Sequence, residues 1–123
     1  MYCGKHIIVD FWGDIDSRIL TDENLIKEAF ITAAKTAGAT VLGSNWHHFG
    51  EGFGVTGVVM LSESHMSIHT WPEHGLATID VYMCGTCEPM DAVTVLTGYF
   101  KPNRITTNEI YRGVMGESFH FKD

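Results

Sequence analysis

Basic residues, proline and cysteine are all scarce in this chain. Eight Lys and Arg stand against fifteen Asp and Glu, a formal net charge of −7. Nucleic acid and anionic membrane would repel so acidic a protein, whereas a cationic small molecule would be attracted. The three cysteines are Cys3, Cys84 and Cys87. An odd count without framework spacing excludes a secreted disulfide scaffold. The lone C-x-x-C, "CGTC", lacks the second pair of a typical zinc site, so reduced thiols near a strand end are the simpler reading, above all for Cys87. No apolar run approaches a membrane span. The start, "MYCGKHIIVDFWGD", is too short in its apolar part and too acidic for a signal peptide. A soluble, cytoplasmic protein is expected. Neither a G-x-S-x-G elbow nor an H-E-x-x-H helix is present, which removes the commonest serine-hydrolase and metalloprotease signatures.

What remains is an ordinary globular composition, 45% hydrophobic and 19% charged over 123 residues. That length suits one domain, 1–123, able to bury a core unaided. "HIIVDFW" (6–12) reads as a strand. "SRILTDENLIKEAFITAAKTAG" reads as a helix capped by Thr21, with Asp22 and Glu23 at its positive end and Gly38 closing it. Strands are expected at 39–49, 55–63, 66–71, 76–84 and 104–112, "PEHG" as a turn, and a second helix over 88–100 stopped by Pro102. The order β-α-β-β-β-β-α-β, with short turns, predicts an α+β fold. It is a two-layer sandwich of one antiparallel sheet with two helices on one face. The open face is available to another subunit.

The densest chemistry lies in "ESHMSIHTWPEHG" (63–75), which holds three histidines and two glutamates directly after an apolar strand. Side-chain alternation puts His65, Ser67 and His69 on one face. Three readings are open. Ser64 or Cys84 could be a hydrolase nucleophile with His69 as its base. His47, His48, His65 and His69 could share a metal. The backbone could process itself.

The run "GVTGVVMLSESHMSIHTWPEHGLATIDVYMCG" resembles the core of the small prokaryotic S-adenosylmethionine decarboxylases, with their "SESH", "IHTWPE", "ID" and strand-ending "CG". "GKHIIVDFWGD" and "AGATVLGSNWHHF" extend the likeness over roughly residues 3–112. The resemblance implies a proenzyme that cuts itself between Glu63 and Ser64 into pieces 1–63 and 64–123. Ser64 would become a pyruvoyl group, which condenses with the substrate amine and accepts electrons during loss of CO₂. His69 is implied as the base at the Ser64 Cα, and Cys84 as the acid that protonates the product carbon. Glu73 is implied to hold the ribose hydroxyls. Trp71 and Phe49, with Trp46 and Phe53 nearby, are expected to contact the substrate by stacking and cation–π attraction. No metal is implied, and the assembly is a homodimer or higher homo-oligomer whose active sites draw on both subunits. Thr56 stands where the family usually has a serine that assists processing, keeping the hydroxyl and adding a methyl. The "HHFGEGFG" loop departs from the family pattern. Two rivals stay open: a pyruvoyl decarboxylase of ornithine or arginine, and an unprocessed binding or metal module on the same fold.

Overall fold

A computed structural model describes residues 1–114. Its six strands are β1 (Gly4–Trp12), β2 (Val41–His48), β3 (Val55–Leu61), β4 (Ser64–Trp71), β5 (Leu76–Cys84) and β6 (Arg104–Arg112). They form one sheet in the order β2-β3-β4-β5-β1-β6, and every neighbouring pair is antiparallel. A short helix α1 (Ser17–Thr21) leads into α2 (Glu23–Thr36), and α3 (Pro89–Phe100) precedes β6. The expected two-layer α+β sandwich is what the chain forms. From residue 115 on, the chain lies outside the described residues.

Strand alternation divides the sheet cleanly. Ile7, Val9 and Phe11 of β1, Val55, Val59 and Leu61 of β3, Met66 and Ile68 of β4, and Ala77, Ile79, Val81 and Met83 of β5 are buried on one face. Against them pack Ile26, Ala29, Phe30, Ala33 and Ala34 of α2, with Ala92, Val93, Leu96 and Phe100 of α3. The i, i+3, i+4 spacing of those residues gives each helix its single apolar stripe. Among the described residues the opposite face carries no helix. Polar side chains line it, yet Ile8 (44% exposed), Val58 (47%), Met60 (56%) and Ile110 (43%) also lie there in contact with solvent.

Several boundaries differ from expectation. Asp22, not Thr21, caps α2: its carboxylate accepts from the N–H groups of Asn24 (3.0 Å) and Leu25 (3.2 Å). Thr21 instead ends α1, its hydroxyl donating to the Ser17 carbonyl at 2.8 Å. Asp22 takes the role because its extended backbone breaks the helix there, and its short carboxylate reaches the bare amides. Helix α3 stops on Lys101, in the left-handed region at φ 48°, before Pro102 can act. "PEHG" closes as a 3-10 turn, Pro72–His74, ending on Gly75 at φ 58°. Strand β3 ends at Leu61 and β4 begins at Ser64, and these two residues pair. A tight hairpin whose loop is Ser62 and Glu63 therefore replaces the longer strand expected over 55–63.

Candidate active site

The hairpin concentrates distortion on one peptide. A two-residue loop needs positive φ somewhere, and "SE" offers no glycine or asparagine to take it. Ser64 takes it, at φ 140°; with Lys101 it is one of two non-glycine residues in that half of backbone space among the described residues. Such a conformation costs an L-residue on the order of 1–3 kcal/mol. The Glu63 carbonyl just before it accepts the Cys84 backbone N–H at 3.0 Å, because the end of β5 runs beside the hairpin. The Glu63 carboxylate accepts the Thr40 N–H at 2.9 Å, which pins the loop from its other side. The Ser64 hydroxyl lies 3.4 Å from Nδ1 of its neighbour His65. Cys84 is a free, half-buried thiol at the strand end. Cys87 is different: its Sγ donates to the Gly38 carbonyl at 3.4 Å, and desolvation, then the Glu63 carboxylate, push its thiol pKa up. Burial and that contact keep the thiol protonated.

A second cluster forms at the far end of β4. Thr56 and His69 face each other across β3 and β4, with the Thr56 hydroxyl 2.5 Å from His69 Nδ1. The His69 ring lies 4.1 Å from Trp71 and 5.8 Å from Phe49, centroid to centroid. With Phe53, Gly54, Thr70 and Glu73 these residues line an open cavity of about 250 Å³. Buried Thr70 holds its floor, accepting the Val55 N–H at 2.8 Å and donating to the Leu20 carbonyl at 2.7 Å. Gly57, beside Thr56, must be glycine, since a Cβ there would sit 2.0 Å from the Trp46 ring.

The expected residues thus fall into two groups. Glu63, Ser64 and Cys84 come together, as do Thr56, His69, Trp71, Glu73 and Phe49. The groups do not meet. Ser64 and His69 occupy one strand, five residues apart, and a rise of about 3.3 Å per residue separates them by roughly 16 Å. His69 cannot serve Ser64 of its own chain, which removes the hydrolase pairing of Ser64 with His69. The four-histidine metal reading also fails. His47 and His48 point to opposite faces of β2, and His65 sits opposite Met60 while His69 sits opposite Thr56.

Between the groups lies a cluster that sequence reasoning missed. Asp80 is 3.4 Å from His6 Nε2 and 3.8 Å from His65 Nε2, and it accepts the Ser67 hydroxyl at 2.7 Å. Alternation placed His65 and Ser67 on this face, but the register that sets Asp80 opposite Ser67 and His6 opposite Tyr82 is tertiary information.

A small open-faced α+β sandwich with a strained peptide at a hairpin defines the class of protein. The S-adenosylmethionine decarboxylase family model matches residues 5–113. An S-adenosylmethionine decarboxylase proenzyme of Acetivibrio thermocellus is 44% identical over 115 residues, covering 93% of this chain and 91% of that protein. One from Methanococcus maripaludis is 42% identical, over 93% of each. The crystal structure of the adenosylmethionine decarboxylase from Aquifex aeolicus superposes with a TM-score of 0.84 at 38% identity, over 98% of both chains. This chain belongs to the S-adenosylmethionine decarboxylase family.

Proposed function

We propose that this enzyme cuts itself between Glu63 and Ser64, converts Ser64 to a pyruvoyl group and decarboxylates S-adenosylmethionine, supplying the aminopropyl donor for spermidine synthesis. The observation that carries the reading is the Glu63–Ser64 peptide itself. It is strained on its nitrogen side and receives an amide N–H at 3.0 Å on its carbonyl oxygen. Strain favours attack by the Ser64 hydroxyl, and the Cys84 N–H stabilises the oxyanion that forms. The resulting ester is opened when a base removes the Ser64 Cα proton, which releases the Glu63 carboxylate and leaves pieces 1–63 and 64–123 held by one sheet.

That base is His69 of a second copy. The open face carries both groups, with apolar Ile8, Val58, Met60 and Ile110 among them. A two-fold axis lying between two stacked open faces, parallel to the sheets and running across the strands, would set the His69 end of one chain over the Ser64 end of the other, completing two identical sites. Thr56 orients His69 through Nδ1, leaving Nε2 for the proton. The cavity of Phe49, Trp71 and Glu73 fits an adenosyl sulfonium better than ornithine or arginine, since rings stack on adenine and attract the cation while a carboxylate accepts two ribose hydroxyls. The pyruvoyl group would supply an electrophilic carbonyl and an electron sink. Cys84 Sγ, beside it, delivers the proton to the product carbon.

Intact mass and ¹⁴CO₂ release test this together. The expected result is two fragments, the second lacking the Ser64 amino nitrogen, with CO₂ released from S-adenosylmethionine. Release from ornithine or arginine alone overturns the substrate; an uncut active chain overturns the chemistry.

A further inference from the structure

The self-cleavage reading leaves one step without a residue, because His69 serves the Cα proton and nothing named so far takes the proton of the attacking hydroxyl. We infer that His65 is that general base, positioned by Asp80. The inference rests on the cleavage reading and adds a catalytic residue to it.

The geometry runs in one direction. The Arg112 guanidinium donates to His6 Nδ1 at 3.3 Å. A guanidinium has only protons to give, so Nδ1 holds the lone pair and His6 is protonated at Nε2. Nε2 lies 3.4 Å from the Asp80 carboxylate, close enough for charge attraction though not aligned as a hydrogen bond. The group of His6, His65 and Asp80 has metal-like spacing, but His6 presents a proton rather than a lone pair, so the cluster fits a proton network. The other Asp80 oxygen accepts from Ser67 and lies 3.8 Å from His65 Nε2. A carboxylate there favours the Nε2–H tautomer, which leaves Nδ1 bare. Nδ1 is the atom 3.4 Å from the Ser64 hydroxyl. Proton transfer needs about 2.6–3.2 Å, a gap that a small rotation of either side chain closes. The adjacency is unusual: successive strand residues point to opposite faces, and the φ of 140° at Ser64 swings its hydroxyl toward its neighbour.

The step balances without another reactant. His65 Nδ1 takes the hydroxyl proton as Ser64 Oγ bonds to the Glu63 carbonyl carbon. The Cys84 N–H holds the oxyanion. On collapse the Glu63–Ser64 C–N bond breaks, and the proton returns from His65 to the freed Ser64 nitrogen. An amide has become an ester.

The test follows conversion of the newly synthesised full-length 13.7 kDa chain into its fragments in cell-free translation. His65→Ala and His65→Asn should each slow cleavage by about 100-fold or more. Circular dichroism should stay unchanged in at least one of them, with no hydroxylamine-cleavable ester, and added imidazole should restore cleavage in the alanine variant. His69→Ala should instead accumulate ester that hydroxylamine cuts. Asp80→Asn should slow cleavage without imidazole rescue, because His65 still fills the position. Cleavage of the His65 variants within a few-fold of wild type overturns the inference. So does accumulation of ester in them, or a folded alanine variant that imidazole fails to restore. A wild-type chain that never splits overturns the cleavage reading, and this inference with it.

Discussion

Complementation between a defect at His69, near the end of β4, and one at Cys84, at the end of β5, is the sharpest perturbation available. Take His69→Ala in one chain and Cys84→Ala in another. Five residues of strand put Ser64 roughly 16 Å from its own His69, several times the reach of an imidazole. If the site is shared, a mixed dimer of the two variants holds one intact site: Ser64 and Cys84 from the first chain, His69 from the second. The other site carries both defects. Random pairing makes half the dimers mixed, and each mixed dimer has one working site of two, so activity should be roughly a quarter of wild type. Each variant alone should be nearly silent. The assay is ¹⁴CO₂ release from doubly tagged, co-expressed protein, alongside light scattering that reports twice the 13.7 kDa chain mass. A folded mixed dimer as silent as its parents would refute the shared site. The strand geometry would then have to be reconciled with a site built inside one chain.

Three more outcomes follow from particular contacts. Thr56→Val removes the hydroxyl on His69 Nδ1 and should slow maturation by about tenfold, one hydrogen bond to a reacting group, while Thr56→Ser keeps the bond and matures at least as fast as wild type; pulse-chase gels measure both. Thr70→Val strands the buried Val55 N–H and should cost about 1–3 kcal/mol in urea titration, since the hydroxyl it loses is buried on both sides. Cys87 should resist iodoacetamide near pH 8 and react progressively as pH rises, because a raised pKa keeps its thiolate fraction low until the pH approaches it. Exposed Cys3 should be modified first, as peptide mapping would reveal.

The layered fold was readable because its signals are local. Period-two strands, one amphipathic stripe per helix and short connections compel an antiparallel sheet with helices on one side. The reactive block was readable because its chemistry is contiguous in the chain. What escaped was set by distant segments. The Asp22 cap escaped because Thr21 and Asp22 are equally good caps on paper, and only the extended backbone at Asp22 chooses between them. The hairpin at Ser62 and Glu63 escaped because it lacks the glycine or asparagine that announces such turns; its strain sits on Ser64 instead. The His6–Asp80–His65 network escaped because three separate strands supply it.

Residue order alone determined the architecture, the Glu63–Ser64 motif and the kinds of side chain beside it, since these depend on periodicity and on neighbours along the chain. Tertiary structure decided which of those side chains can meet. It turned Ser64 toward His65, laid the Cys84 amide on the Glu63 carbonyl and held His69 a strand's length away. Extended backbone is stiff and side chains are short, so residues close in sequence on one strand are kept apart, and only cross-strand register brings reacting groups within a few ångströms.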